Sequence, residues 1–277
     1  MITGIAHVAI NVLDMDKMLG FYSEALGLKK AFELPHEDGT PWIVYLKVAP
    51  GEFIEFFYGG VKDRDINYSG DQIGAHHWCI TCTNMNALRE RLLARGYIKP
   101  DMKPVAKGDG WNWWIHDPEG NALEINQLEG TSAVSDSANG GRDEITGIEH
   151  VGHVVSDIEK TRAFYRDMLG LKELSTKDKD GKPWLTYMEV KPGQTMEFFW
   201  GGVKTRPNTW QSYGVTHLCL LSDDVAAEIE SLRARGWPIL IETKTGADKN
   251  TQGWVVDPDG NRIELMYIHP DSPQAKA

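Results

Sequence analysis

The chain has 277 residues, of which 41% are hydrophobic and 25% charged, a composition typical of a globular protein with a sizeable core. Its formal net charge of −11 argues against a general affinity for nucleic acid or anionic membranes, because both need a basic face. No basic stretch precedes an apolar run at the start, and no apolar run reaches the roughly eighteen residues of a membrane span. We therefore expect a cytosolic monomer or homodimer that acts on a small molecule.

Short apolar runs alternate with helix-like segments along the first part of the chain. The apolar strand HVAINV begins at His7, a helix-like run follows it, and the β-type runs PWIVYLKV and GEFIEFFY come next. The pattern then restarts with HWCITC at His77. Apolar residues at helical spacing predict a helix with Asn84 as its N-cap and Gly96 as its stop. The strand-like runs WNWWIH and NALEINQL complete this second unit.

The second part of the chain repeats the first. TGIAHV at residues 3–8 returns as TGIEHV at residues 146–151, and DPEGNALEI at 117–125 returns as DPDGNRIEL at 257–265. Between the copies, residues 129–144 are polar and rich in Gly and Ser, which predicts a flexible linker. The sequence thus predicts an α+β fold of four βαβββ units, with domains at 1–128 and 145–268 and a polar tail at 269–277.

Histidines and glutamates stand at matched places in the four units. A buried, unpaired carboxylate is very costly, so a glutamate among large apolar residues on a short strand must face water, be paired or bind a metal. Taken together, the two residue types form a mixed nitrogen and oxygen donor set suited to divalent Ni, Zn, Fe, Co or Mn, with up to two ions per chain. The candidate ligands are His7, Glu55, His77, Glu124, His150, Glu197, His217 and Glu264.

At these residues the sequence resembles the vicinal oxygen chelate superfamily, which includes glyoxalase I, methylmalonyl-CoA epimerase, extradiol dioxygenases and bleomycin resistance proteins. The resemblance covers nearly the whole chain, and residues 150–171, HVGHVVSDIEKTRAFYRDMLGL, carry its entry motif. It implies that pairs of βαβββ units curl into two open mixed β-barrels, each around one metal.

The resemblance also implies which residues share a metal. If units pair within each half, the sets are residues 7, 55, 77 and 124, and residues 150, 197, 217 and 264. If units one and four pair, and units two and three, as in fused glyoxalases, each set draws on both halves. The sequence leaves both pairings open. By the same resemblance, Glu124 and Glu264 act as the catalytic bases.

A metal bound by two His and two Glu polarises a carbonyl while a carboxylate moves the proton, which is lyase or isomerase chemistry on a small hydroxy-carbonyl compound. Glutathione use is doubtful: the positions where glyoxalase I grips glutathione carboxylates are Asn11 or Val154, and Gly59 or Gly201. The alternatives are an epimerase of sugar-like hydroxyketones, an extradiol dioxygenase, which would use two His and one Glu, and a non-catalytic binding or resistance protein.

Other candidate residues are not expected to bind a metal, and His76 is expected at the rim of the site. Strand alternation turns His76 and His153 away from the neighbouring candidate ligands. Cys79 and Cys219 share a face with those ligands, but core filling is expected, and three cysteines without CxxC spacing predict reduced thiols. Packing is also favoured over a substrate-pocket wall for three tryptophans, Trp113, Trp114 and Trp254.

Overall fold

The computed structural model describes residues 1–64, 70–108, 110–128 and 145–277. The predicted linker, residues 129–144, lies outside the described residues. The first unit consists of β1 Ile2–Asn11, helix α1 Met15–Leu19 with a π-helical turn Gly20–Ala25, β2 Lys29–Pro35, β3 Pro41–Ala49 and β4 Glu52–Phe57. The second consists of β5 Gly74–Cys82, α2 Met85–Ala94, β6 Val105–Lys107, β7 Gly110–His116 and β8 Ala122–Gln127.

The second half repeats this order. The third unit comprises β9 Ile145–Val155, α3 Ile158–Arg162 with a π-helical turn Ala163–Met168, β10 Lys172–Lys179, β11 Lys182–Lys191 and β12 Gln194–Trp200. The fourth comprises β13 Gly214–Ser222, α4 Val225–Ala234, β14 Ile239–Thr245, β15 Thr251–Val256 and β16 Arg262–Tyr267. The predicted α+β class and its four βαβββ units are confirmed. Within the described residues, no helix is long and apolar enough to cross a membrane.

The helix starts follow from local chemistry. The side chain of Asn84 accepts a hydrogen bond from the backbone N–H of Ala87, as the sequence predicted, and Asp224 does the same for Ala227 at the start of α4. These caps satisfy backbone donors that the first helical turn leaves unpaired. Each helix then packs its apolar face against the sheets, for example through Leu88 and Leu92 of α2, which are fully buried.

The strands form two eight-stranded mixed sheets, and each sheet takes one unit from each half. The first has the order β14-β15-β16-β13-β1-β4-β3-β2, and the second β10-β11-β12-β9-β5-β8-β7-β6. Antiparallel pairs join the units, β1 with β13 and β5 with β9. The first and last strands of each unit pair in parallel, as β1 does with β4. Both sheets are open, so they are not closed barrels.

This topology selects the second of the two pairings that the sequence left open: units one and four share a sheet, as do units two and three. Within a half, the units meet through helices and turns. The hydroxyl of Tyr22 donates to Asp117 at 3.0 Å, and that of Tyr165 donates to Asp257 at 3.1 Å. The proposed domains, 1–128 and 145–268, therefore describe the sequence repeat, and each sheet crosses between them.

The last residues, predicted as a polar tail, include a short helix, α5 Pro273–Lys276, capped by Ser272. Gln274 of this helix is buried and donates from Nε2 to Asp248 at 2.6 Å. The tail thereby packs against the turn that joins β14 to β15.

Candidate metal centre and active site

Four predicted ligands converge in the first sheet. The antiparallel pairing of β1 with β13 brings His7 and His217 together as diagonal neighbours. Strand β4, which pairs with β1, carries Glu55, and strand β16, which pairs with β13, carries Glu264. All four side chains are buried. The resemblance-based set within the first half is wrong, because His77 and Glu124 belong to the other sheet.

The ligand atoms of this first site lie at distances that suit a shared cation. His7 Nε2 is 3.1 Å from His217 Nε2, 3.2 Å from Glu55 Oε2 and 3.1 Å from Glu264 Oε2. Ligand atoms about 2.1 Å from one tetrahedral ion lie about 3.4 Å from each other. Glu55 Oε2 is buried, and both imidazoles lie close to it, with His7 Nε2 at 3.2 Å and His217 Nε2 at 3.3 Å. The donor set therefore fits a divalent transition metal.

Electrostatics inside the first site keeps the carboxylates charged. Burial disfavours the charged form of Glu55, but the imidazoles of His7 and His217 outweigh it and hold the pKa of Glu55 well below its usual range. The same balance, with burial opposed by both imidazoles, lowers the pKa of Glu264. Burial lowers the pKa of His7, but Cys219 and Glu55 outweigh it and raise that pKa well above its usual range, so His7 must lose a proton before it can bind a metal between the two carboxylates.

A second site in the other sheet combines His77, Glu124, His150 and Glu197. His150 Nε2 lies 3.0 Å from both His77 Nε2 and Glu124 Oε2, whereas Glu197 Oε2 is 3.7 Å from His77 and 3.8 Å from His150. The set that resemblance implied within the second half is wrong as well, since His217 and Glu264 lie in the first sheet. Ligand atoms of His77, His150 and Glu197 lie within 4.8 Å of one another, and Glu124 contacts the same two imidazoles.

The charge balance of the second site differs from that of the first. Burial opposes charge on Glu124, but hydrogen bonds to His150 and His77 lower its pKa well below the usual range. For Glu197, burial is the largest effect and its pKa is raised. Burial also lowers the pKa of His77 to about 4, so this imidazole is neutral and able to bind a metal near neutral pH.

Polar residues that the sequence did not single out orient one carboxylate in each site. The Tyr45 hydroxyl donates to Glu55 Oε1, and Asn112 Nδ2 donates to Glu124 Oε1. Tyr45 lies directly opposite Glu55 in the pairing of β3 with β4, and Tyr187 lies opposite Glu197 in the third unit. The matched tyrosines in WIVYLKV and WLTYMEV were a signal in the sequence.

The units that lack this tyrosine have a tryptophan opposite the glutamate. Trp114 faces Glu124 across β7 and β8, and Trp254 faces Glu264 across β15 and β16. Their rings contact candidate ligands, with centroids 4.6 Å apart for Trp114 and His77 and 4.6 Å apart for Trp254 and His217. The expectation of packing alone is therefore incomplete for these two tryptophans, whereas Trp113 does pack in the core.

A cavity of about 320 Å³ opens onto the first site and includes Glu55, His217 and Glu264 in its wall. Most of the remaining wall is apolar or aromatic. Those wall residues are Leu34, Trp42, Ile43, Tyr45, Phe57, Trp210, Ile241 and Trp254. A pocket with apolar walls and a few convergent polar groups at its floor is the usual form of a small-molecule site.

Four residues that were not expected to bind a metal, His76, His153, Cys79 and Cys219, lie near the candidate metal ligands. His153 is buried on the opposite face of β9, and burial lowers its pKa to about 3. The expectation that strand alternation turns His76 away from His77 is wrong: the two Nδ1 atoms are 2.9 Å apart, and a register shift between Ala75 and His77 interrupts the alternation there. Cys219 lies across from His7 and Cys79 across from His150, and burial raises the pKa of both thiols. All three cysteines are reduced.

Comparison with known proteins agrees with this architecture. The most similar curated relatives include the lactoylglutathione lyase of Haemophilus influenzae, 29% identical over 40% of this chain and 85% of that protein. The lactoylglutathione lyase of Schizosaccharomyces pombe is 22% identical over 94% of this chain and 95% of that protein. The first relative thus spans about one half of this chain, and the second spans both halves.

Solved structures share the whole fold. Glyoxalase I from Zea mays superposes with a TM-score of 0.70 at 20% identity, covering 95% of this chain and 92% of that one. A putative dioxygenase from Bacillus subtilis gives 0.72 at 17% identity, covering 99% and 89%. The family profile described as Glyoxalase/Bleomycin resistance protein/Dioxygenase superfamily matches residues 4–125 and 147–265. The chain, with its four βαβββ units and matched His and Glu positions, belongs to that superfamily.

Proposed function

We propose that the protein is a metal-dependent lyase or isomerase of the glyoxalase type, which moves a proton on a small hydroxy-carbonyl compound in the first site. The observation that carries this proposal is the cluster of His7, His217, Glu55 and Glu264, in which each imidazole Nε2 lies 3.1–3.5 Å from the other imidazole and from both carboxylates, and from which His217, Glu55 and Glu264 line a cavity. The lactoylglutathione lyase relatives support the reaction type.

His7, Glu55, His217 and Glu264 would hold a divalent transition metal in this site. A bound metal of this kind supplies Lewis-acid polarisation of a substrate carbonyl, which makes the neighbouring C–H more acidic. The second donor set, with residues 77, 124, 150 and 197, would hold a second ion. The apolar cavity walls exclude water and strengthen electrostatic interactions at the floor.

Glu264 is the carboxylate that we assign to proton transfer in the first site. Glu55 is held by the Tyr45 hydroxyl, which fixes one of its oxygens. The polar partners of Glu264 include the two imidazoles and the Cys219 thiol. Because a thiol is a weaker hydrogen-bond donor than a phenol hydroxyl, Glu264 is held less firmly than Glu55 and is the carboxylate we assign to take up and return a proton. In the second site the resemblance implies that Glu124 is the base, but Asn112 Nδ2 donates to Glu124 Oε1 and fixes that oxygen.

Glutathione conjugates suit this cavity poorly. Asn11 Nδ2, at the position where an arginine would grip a glutathione carboxylate, donates to the carbonyl oxygens of Trp210 at 2.7 Å and Ser212 at 3.1 Å. Among the described residues that line the cavity, Lys244 is the one lysine or arginine. The same wall carries three carboxylates, Glu55, Asp248 and Glu264. A ligand with two carboxylates would find too few cationic partners.

The decisive experiment combines metal analysis with solvent exchange. We expect up to two equivalents of divalent metal per chain, and loss of the α-proton NMR signal when metal-loaded protein is incubated in D₂O with α-hydroxyketones, ketoses and 2-substituted thioesters. Glu264→Gln should abolish exchange, whereas Glu242→Gln, a change at an exposed residue of β14, should not.

Three outcomes would contradict the proposal. Less than about half an equivalent of metal under replete conditions, with no effect of metal on thermal stability, would remove its basis. Oxygen uptake with a catechol would indicate a ring-cleaving dioxygenase. Full metal occupancy without exchange across the panel would indicate a binding protein.

A further inference from the structure

The cavity above the first site is lined by aromatic rings from three separate segments. Trp42 comes from β3, Trp254 from β15, and Trp210 from the segment that precedes β13. The volume of about 320 Å³ is at the lower end of the range for ligand pockets. Stacking surfaces on several sides of a small cavity favour a planar apolar group over a flexible polar chain.

Trp210 is exposed and yet held in place. Its side chain is 51% exposed, which is unusual for a residue of this size. The guanidinium carbon of Arg262 lies 4.2 Å from the centroid of the ring, and the Trp254 ring meets it edge-on at 5.4 Å. Its carbonyl accepts from Asn11 Nδ2 at 2.7 Å. The ring is thus preorganised at the cavity mouth, which lowers the entropy cost of binding.

Lys244 provides a positive charge at the same mouth. It lines both the cavity and an outer groove, and its ammonium group has no hydrogen bond or ion pair among the described residues. Glu37 and Asp38 line the outer groove beyond it. One negative charge on a ligand would pair with Lys244, but a second charge further out would be repelled by these carboxylates.

We propose that the substrate of the first site carries an aromatic ring next to its hydroxy-carbonyl group, seated among Trp42, Trp210 and Trp254, and a single negative charge that reaches Lys244. This inference rests on the proposed function, since it takes the reactive group to lie at the two imidazoles and two carboxylates. The substrate class is therefore an anionic aryl hydroxyketone.

Three probes that share the CO–CH₂OH head test it: hydroxyacetone, α-hydroxyacetophenone and its para-carboxy derivative. Binding is measured by calorimetry on metal-loaded protein, and exchange of the CH₂ protons in D₂O is followed separately. We expect the phenyl ring to lower Kd at least about tenfold relative to the methyl group. The carboxylate should lower Kd a further two- to fivefold, the range of about 0.4–1 kcal/mol expected for an exposed ion pair.

Single substitutions test which residues produce the gains in affinity from the phenyl ring and from the carboxylate. Trp210→Ala should reduce the phenyl preference about three- to tenfold, whereas Trp111→Ala, at a tryptophan of similar exposure in the other sheet, should leave it unchanged. Lys244→Gln should abolish the preference for the carboxylate. Lys249→Gln, an exposed change in the adjoining turn and outside the cavity wall, should not.

The outcomes separate this inference from the proposed function. Exchange of hydroxyacetone without any preference for the phenyl ring would overturn the inference and leave the function standing. Tight binding of the aryl probes without exchange would support the inference and overturn the function. Equal effects of Trp210→Ala and Trp111→Ala would also overturn the inference.

Discussion

A buried glutamate and glutamine join the two sheets, and exchanging the amide for a second carboxylate should destabilise the fold. Gln194 is 2% exposed and begins β12, at the place that Glu52 occupies at the start of β4. Its Nε2 donates to Glu52 Oε1 at 2.8 Å and to the carbonyl oxygen of Ile148 at 3.0 Å. Glu52 Oε2 accepts from the backbone N–H of Ile148, and Gln194 Oε1 from that of Ile5, both at 2.8 Å.

The size of the effect follows from these distances. In Gln194→Glu, two carboxylates 2.8 Å apart would repel by about 6 kcal/mol at an effective dielectric constant of about 20, and the Lys191 ammonium, 3.0 Å from Glu52 Oε1, would offset part of this repulsion. Taking up a proton is less costly, at about 4 kcal/mol near pH 7 for a glutamate with an ordinary pKa of about 4.3. The protonated acid donates one hydrogen bond where the amide donated two, which adds about 1 kcal/mol. We expect a loss of up to about 5 kcal/mol near pH 7, reduced by whatever compensation Lys191 provides.

The pH dependence gives the prediction its sign. The new carboxyl group has a raised pKa in the folded state, so its penalty grows as the pH rises above its unfolded pKa. Near pH 5 the cost of protonation falls to about 1 kcal/mol, and the total to about 2 kcal/mol. Urea unfolding of both proteins at the two pH values measures the difference directly.

Two controls make the result interpretable. The exchanged pair, Glu52→Gln with Gln194→Glu, restores one carboxylate and one amide and should recover most of the stability. Gln211→Glu makes the same chemical change at an exposed position and should cost little. A loss below about 1 kcal/mol near pH 7, or an equal loss at both pH values, would refute the electrostatic account of this pair.

Three further predictions concern the turns and the sites. Burial raises the pKa of Asp117 and Asp257 from 3.8 to about 6, so the stability that each contributes is full below 3.8 and lost as the pH rises through about 6. Between about pH 7 and pH 5 each should add about 1 kcal/mol, and unfolding of Asp117→Asn, Asp257→Asn should lack this gain. Glu264→Gln should remove one metal equivalent and leave the other, because the two ligand sets lie in different sheets; elemental analysis showing loss of both would contradict this. Turnover of the methylglyoxal–glutathione hemithioacetal should stay below about 10⁴ M⁻¹s⁻¹ in kcat/KM, and a higher rate would show that groups other than Asn11 and Gly59 grip glutathione.

Much of the candidate site could be predicted because the second half of the chain repeats the first, so that residues kept at matched places can be recognised within one sequence. His7 and Glu264 stand out since their counterparts recur while neighbouring polar residues change. The helix over Met85–Ala94 was predictable from Asn84 and Gly96, whose effects on the backbone are local. Tyr45 was marked in the sequence by its match with Tyr187, although its role depends on Glu55 across the strand pair. Trp210 could not be predicted, because it is held by Arg262 and Trp254, which are distant in sequence.

Which units share a sheet could not be predicted from the sequence, for a physical reason. Gly152 lies opposite His77 in the pairing of β5 with β9, and a side chain there would overlap the imidazole. Glycine within a strand does signal such a close approach. However, pairing within the second half would bring the equivalent His217 to the same glycine. Homologous units offer nearly the same edges, so the choice depends on contacts that differ between them, such as Glu52 with Gln194.

The same reasoning predicts the behaviour of one half on its own. Residues 1–128 contain β1 and β5 without their antiparallel partners β13 and β9, so two long apolar edges would be open. The equivalent strands of a second copy offer matching partners. The lactoylglutathione lyase of Haemophilus influenzae matches 40% of this chain with 85% of its own length, so its length is close to that of one half. We expect the isolated half to form a dimer that binds two metal ions through residues 7, 55, 77 and 124 of both copies. Light scattering and elemental analysis measure both properties, with His77→Ala as the control that should keep the dimer and lose the metal. A folded monomer that retains metal would mean that β1 and β5 of one copy pair with each other, and an unfolded half would mean that contacts between halves, led by Glu52 and Gln194, are required for folding.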